Sequence, residues 1–272
     1  MNNFSEKGFL IIRNAVNLRL IRDIQKLVIK SIKSNNRIKK NEKNNYKFFC
    51  KAVENIKVSE FNFLKPIYNL LLYKGIIEKY LFEKKLYKSI TQILGRDLSY
   101  CNDQSLVLNI PKRNNSEKNY LFKDWHQEIW SGSGTASIIA WTPIFQESNT
   151  YGQIELAKES HKWGHIPHRG RKPLELPKRY KTLKSDLRYG DVIIFSALML
   201  HKSLPTINPR LALSFQIKNF RFKDYSYENN RNWKIFSYSE MTKIERILGN
   251  HYLSPFRLTD LKTDTLSGTI KK

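Results

Sequence analysis

Downstream of Gly95 the chain changes from helical spacing to a series of short β-type runs, which limits the possible folds more than any other feature. The runs are SLVLNIP, KDWHQEIW, TASIIAWTPI, GQIELAK, GDVIIFSALML and RLALSFQIKNF, separated by turn residues. Several short strands with no helices between them predict a barrel or sandwich. Upstream, NLRLIRDIQKLVIKSIKSNN sets Leu18, Ile21, Ile24, Leu27, Val28 and Ile32 at helical spacing, which predicts an amphipathic helix. Helical spacing returns from Phe61 to Gly95, where Pro66 suits a first turn and Gly75 separates two helices. The opening FSEKGFLIIRNAV reads as a short extended segment, and NNRIKKNEKNNY (35–46) as a polar, basic loop. One more helix is expected in SEMTKIERILGNHY, before a polar end. No repeat or linker divides the chain. The expectation is an α+β chain of one domain, 1–272: a mainly helical part (1–96) packed on a β core (97–222), with a short helical C-terminal tail (223–272).

A chain of 272 residues can bury one good-sized core. No apolar run approaches the ~20 residues that span a bilayer, and the N-terminus lacks the form of a signal peptide, so no membrane span and a cytoplasmic location are expected. Cys50 and Cys101 are the only cysteines. With no mark of export they are expected as reduced thiols, and two alone cannot build a cysteine-based zinc site. The net charge of +24 has two explanations. It attracts an anionic partner, or it reflects a composition rich in Lys, Asn and Ile with its lysines spread along the chain. Neither zinc-finger spacing nor an RNA-binding aromatic motif is present, so no nucleic-acid partner is expected.

The chemistry centres on DWHQEIW, residues 124–130. On a strand, His126 and Glu128 project to the same side while Gln127 faces away. An imidazole and a carboxylate two positions apart can share an ion, but the pair alone is a weak signal, common on strands beside polar cavities. GDVIIFSALMLHKSLPTINPRLALSFQ supplies His201, Ser203 and Arg210. A histidine beside an apolar strand is more often a satisfied core residue than a ligand. An arginine opening an apolar strand is harder to set aside, because a buried guanidinium needs an anion. His201 would complete two histidines and one carboxylate, the facial set of non-haem Fe(II) oxygenases, with three coordination positions left open. The distal carboxylate of 2-oxoglutarate is then a natural partner for Arg210.

These stretches, in this order, resemble the phytanoyl-CoA dioxygenase family of Fe(II)/2-oxoglutarate oxygenases. FSEKGFLIIRNAV is similar to the family's N-terminal segment, and WHQEIW to its His-x-Asp region. IIAWTPIFQESNTYGQIELAKESHKWGHIPH resembles its strand, turn and GSHK segment, and the run from Gly190 to Gln216 its second-histidine and arginine block. The resemblance extends from residue 4 to about 220 and leaves the tail uncovered. It implies a double-stranded β-helix (jelly-roll) core, iron ligands His126, Glu128 and His201, and a 2-oxoglutarate site formed by Arg210 with Ser203 as second donor. It also sets Trp141 beside the cosubstrate, although core packing explains a tryptophan there equally well. The implied reaction consumes O2 and 2-oxoglutarate, releases succinate and CO2, and hydroxylates a small-molecule or carrier-linked substrate. Three features depart from the family: Glu128 replaces the usual Asp, AKESHK replaces PGSHK, and the approach from His201 to Arg210 is short. A halogenating relative would lack the carboxylate, so Glu128 favours hydroxylation.

Other signals are weaker. His161, His165 and His168 lie in a stretch with Gly164, Pro167 and Gly170, which suits an exposed loop or a substrate-facing lid better than a second metal site. SGSGT (131–135) reads as a turn, and the basic run RGRKPLELPKRYKTLK as a solvated flap or an attractor for an anionic substrate. The rival function is non-catalytic binding of anionic ligands on the same scaffold. A metal enzyme of cupin type that needs no 2-oxoglutarate is intermediate between the two. The tail is a candidate homodimer element.

Overall fold

In the computed structural model, residues 3–35, 44–54, 64–103, 106–111, 124–146, 154–222 and 232–248 are described. The N-terminal part is helical: α1 (Asn3–Lys7), α2 (Leu18–Asn35), α3 (Asn45–Glu54), α4 (Leu64–Tyr73), α5 (Ile76–Leu81) and α6 (Lys84–Leu94). Between α1 and α2 runs β1 (Phe9–Ile12), so the opening segment is a helical turn followed by the expected strand. The buried stripe of α2 is Ile21, Ile24, Val28, Ile29 and Ile32, while Leu18 lies outside it and is exposed. Gly75 breaks α4 from α5 in the left-handed region, φ 64°, a conformation that costs a residue without Cβ little. Helix α3 has no counterpart in the sequence expectation. At its start the Asn44 side chain accepts the backbone N–H groups of Tyr46 (2.9 Å) and Lys47 (3.2 Å), the N-cap pattern.

The strands are β2 (Leu98–Cys101), β3 (Leu106–Asn109), β4 (Ile138–Phe145), β5 (Ile154–Ala157), β6 (His168–Arg169), β7 (Lys172–Pro173), β8 (Thr182–Lys184), β9 (Val192–Ser196), β10 (His201–Ser203), β11 (Arg210–Asn219) and β12 (Trp233–Ser237). A seven-stranded antiparallel sheet runs β1-β9-β4-β11-β2-β12, with β3 also paired to β11. A smaller sheet runs β10-β5-β8, and β6-β7 form a separate ribbon. Two facing sheets that do not close into a barrel make the jelly-roll core that the resemblance implied.

Side-chain alternation explains why β4 and β9 are apolar on both faces. Ile138, Ala140, Ile144, Val192, Ile194, Leu211, Leu213 and Phe215 point to the helices and join one large core. Ile139, Trp141, Ile193, Phe195 and Ala212 point the other way and meet Ile154 and Leu156 of the small sheet. The inter-sheet space is therefore lined from the large sheet by the even positions of β11, of which Arg210 is the first. Just beyond Arg210 the β11–β4 register slips between Leu211 and Ala212, where Pro143 stands. Proline has no N–H for the ladder, and such a bulge re-aims neighbouring side chains. After β12, helix α7 (Glu240–Leu248) ends the described chain. The remainder of the expected tail helix, and the polar end, lie outside the described residues.

Candidate metal centre and cosubstrate pocket

The stretch KDWHQEIW is not a strand throughout. His126 forms an isolated antiparallel bridge with His201, and Glu128 opens a 3-10 turn, Glu128–Ser131. The strand expectation is corrected there because the backbone must bend. Glu128 N–H donates to Ala197 O (3.1 Å), while His126 and His201 exchange their amides at 2.9 and 3.0 Å. The expected convergence survives the bend. Nε2 of His126 and Nε2 of His201 lie 3.4 and 3.5 Å from Oε1 of Glu128, and one ligand atom from each residue falls within 4.8 Å of the others. All three residues are buried.

The remaining ring nitrogens set the tautomers. Nδ1 of His126 faces the Asp124 carbonyl (2.6 Å) and Nδ1 of His201 the Met199 carbonyl (3.0 Å). A carbonyl only accepts, so Nδ1 donates in both rings, and in the metal-binding, neutral form of such a ring the Nε2 lone pair faces Glu128. Three electron-rich atoms then face one another in a buried space, an arrangement that a cation stabilises. Two imidazoles and a carboxylate fit Fe(II). Phe195 packs against the His201 ring, 4.6 Å between centroids, and ties the triad to the inter-sheet cluster.

Arg210 is 3 % exposed, and its guanidinium lies 5.3 Å from the Trp141 ring centroid. Burial pushes its pKa down to about 10, so at neutral pH it carries its charge in an apolar interior. A planar cation so placed fits a carboxylate taken bidentately, such as the distal carboxylate of 2-oxoglutarate. Trp141, for which packing and a place beside the cosubstrate were both open, belongs to the core cluster and underlies the guanidinium. Ser203, two positions beyond His201 on β10, points to the same face as that histidine.

Two residues escaped the sequence reading. Asn109 ends β3 directly opposite Arg210 in the ladder, and its neighbours Leu106 and Leu108 face the helices, so Asn109 faces the inter-sheet space. It is buried, and neither amide atom has a hydrogen-bond partner among the described residues. A lone amide closing the run LVLN was its only signal. Gln127, between the first two triad residues, is also fully buried.

The three loop histidines do not gather into a metal site. His161 bonds to Ser5 O (2.9 Å), and His168 stacks on Trp130 with centroids 4.7 Å apart. His165 meets His168 edge-on at 5.8 Å. A cleft of about 580 Å³ is lined by Lys7, Lys158, Arg179 and Lys181 with Trp163 and Tyr180 among others, and by no residue of the triad.

Comparison with known proteins agrees with this geometry. Residues 4–212 match the phytanoyl-CoA dioxygenase (PhyH) family. The 1-deoxypentalenic acid 11-beta-hydroxylase of Streptomyces arenae is 33% identical over 82 residues, 25% of this chain and 29% of its own length. The alignment thus spans under a third of that relative. Among solved structures, the non-heme monooxygenase ThoJ superposes with a TM-score of 0.57 at 14% identity, over 87% of this chain and 83% of its own. The nickel complex of ThoJ gives 0.54 at 14%, over 87% and 82%. At these identities the likeness concerns the fold. No described helix is long and apolar enough to cross a membrane.

Proposed function

The chain belongs to the phytanoyl-CoA dioxygenase family, and we propose that it is an Fe(II)- and 2-oxoglutarate-dependent oxygenase that hydroxylates a C–H bond. The substrate is a small molecule or a carrier-linked group, and succinate and CO2 are the co-products. The observation that carries this is the buried convergence of His126, Glu128 and His201 in the same inter-sheet space as a buried Arg210. Neither half would suffice, since a triad alone fits many metal sites and a buried arginine alone fits many anions.

His126, Glu128 and His201 would hold the metal on one face and leave three positions open for cosubstrate and O2. When bound, iron and 2-oxoglutarate supply the oxidising power: O2 converts the keto acid to succinate and CO2, and its other oxygen atom enters the C–H bond. The protein supplies geometry. The carbonyls of Asp124 and Met199 hold both imidazoles with Nε2 inward. Arg210 takes the distal carboxylate, with Ser203 as second donor and Trp141 as the floor beneath the guanidinium. Asn109, opposite Arg210, gives its amide to the same cosubstrate. Glu128 occupies the position that a halide would need, which favours hydroxylation over halogenation.

The substrate we propose carries a negative charge. A net charge of +24, the cationic cleft and a relative named for acting on an acid all support it. One oxygenase domain over 1–272 and a cytoplasmic location, where Cys50 and Cys101 stay unbridged, complete the proposal. A homodimer through the C-terminal tail is proposed on the sequence alone.

Purified protein supplied with Fe(II), ascorbate, O2 and 2-oxoglutarate should form succinate slowly without a prime substrate. Succinate no higher than in a metal-free control would overturn the assignment. Salt-sensitive binding of anionic polymers that is indifferent to Glu128→Ala would favour the non-catalytic alternative.

A further inference from the structure

The residue between the first two triad members has an environment that a spacer does not need. Gln127 is 0 % exposed, and its amide spends both protons and one oxygen lone pair. Nε2 donates to Gly164 O (2.8 Å) and to Leu198 O (2.6 Å), and Oε1 accepts from Ile166 N–H (2.9 Å). The amide orientation is fixed, because a flip would set its oxygen against two carbonyl oxygens.

The three segments it joins are the ones that set the triad. Gln127 is bonded through its own backbone to His126 and Glu128. Leu198 lies in the turn between β9 and β10, next to Ala197, whose carbonyl receives Glu128 N–H, and three residues before His201. Gly164 and Ile166 belong to the excursion between β5 and β8. That excursion returns a second support to the same turn, since Ser160 Oγ accepts Leu200 N–H at 2.8 Å. His168, two residues past Ile166, stacks on Trp130 at the far end of the ligand-bearing turn.

We propose that Gln127 is the positioning residue of the metal centre. Its single amide fixes the turn carrying His126 and Glu128 against the turn leading to His201, and makes the 164–166 stretch part of the same rigid frame. This rests on the proposed metal role of the triad. The side-chain amide bonds to the backbone of Gly164, Leu198 and Ile166 rather than to the ligand atoms of the triad, so it acts through the backbone of its neighbours.

Cobalt(II) titration of the metal-free full-length protein tests this, read by visible absorption and by the dissociation constant. Gln127→Met keeps the length and removes the polar atoms; Gln127→Glu keeps the shape and replaces the donor with an acceptor. Gln146→Met serves as control, because its amide is also buried and bonds Leu187 O (3.0 Å) without contacting the triad segments. Outer partners of metal sites typically govern affinity by about 10- to 100-fold. Both Gln127 variants should weaken cobalt by that order and alter its spectrum, whereas Gln146→Met should lower thermal stability with affinity and spectrum unchanged. Wild-type affinity and spectrum in folded Gln127→Met would overturn the proposal and leave the metal assignment standing. Failure of the wild type to bind cobalt or iron would overturn both. Should Gln127→Met not fold, hydrogen exchange on the wild type decides: metal should slow exchange of the Ile166 amide, and an unchanged rate would contradict the proposal.

Discussion

Arg210 has the most demanding environment of any single residue in the candidate site. Desolvation has already brought its pKa down to about 10, yet it remains charged at neutral pH and its face is taken by Trp141. Truncating one partner of a buried charge pair costs about 2–5 kcal/mol. Arg210→Ala should therefore weaken 2-oxoglutarate by at least about 30-fold, and Arg210→Lys should recover only part, since an ammonium lacks the bidentate fork. Isothermal titration of the metal-loaded protein checks both. His126→Ala should abolish iron binding while the circular dichroism spectrum is retained, because the backbone bridge to His201 does not depend on the imidazole. His126, Glu128, His201 and Arg210 were legible in the sequence because such residue types are conspicuous in apolar strands. Asn109 and Gln127 were not, because one amide in an apolar run becomes meaningful only when the strand register and the bond partners are known.

Elements near the site depend on a few local devices. Gly8, between α1 and β1, has φ +74°, and a Cβ there would lie 2.3 Å from His161 Nδ1 and 2.4 Å from Met199 Cε. Gly8→Ala combines strained backbone with a collision against the residue whose carbonyl orients His201. It should cost more than ~1 kcal/mol and lower metal affinity as well, measured by thermal unfolding and metal titration. Asp97 anchors the C-terminal helix: its Oδ1 accepts Ser239 N–H (2.7 Å) and its Oδ2 the Ser239 hydroxyl (2.9 Å). Burial alone would raise its pKa, but those bonds, a further one from Thr242 and the charge of Arg221 hold it below the ordinary 3.8. A depressed carboxylate contributes stability that is present above its unfolded pKa and is lost as pH falls through the folded value. The docking of α7 should thus weaken in acid, and Asp97→Asn should remove most of that pH dependence, followed by hydrogen exchange of the α7 amides. The elements α2, β4, β9 and β11 were legible because apolar residues recur along each of them. Helix α3 and strands β2 and β12 are short, and tertiary pairing rather than local pattern holds them. DWHQEIW misled as a strand because alternation over three residues cannot register the 3-10 turn that follows.

At the scale of the molecule, the helices cover one face of the large sheet and leave its other face to the small sheet. Every proposed chemical group lies in or beside that second interface, which keeps the reacting centre away from bulk water. The large positive charge acts from outside it. With an anionic substrate, KM should rise with ionic strength while kcat holds, since salt screens approach rather than the dry interior. A KM indifferent to salt would leave the charge as composition alone. A β core of barrel or sandwich type was legible in the alternation of short runs and turns. The two-sheet plan came from the family resemblance, and the pairing order of the strands rests on long-range register that local pattern does not carry. The identity of the substrate was not, because charge and apolar pattern specify a scaffold and its cosubstrate more tightly than a variable pocket wall. The most direct test of the central claim is an anaerobic titration of the iron-loaded protein with 2-oxoglutarate. Saturable binding that requires iron and is lost in both His126→Ala and Arg210→Ala is the predicted result; no binding to the iron-loaded wild type would contradict it.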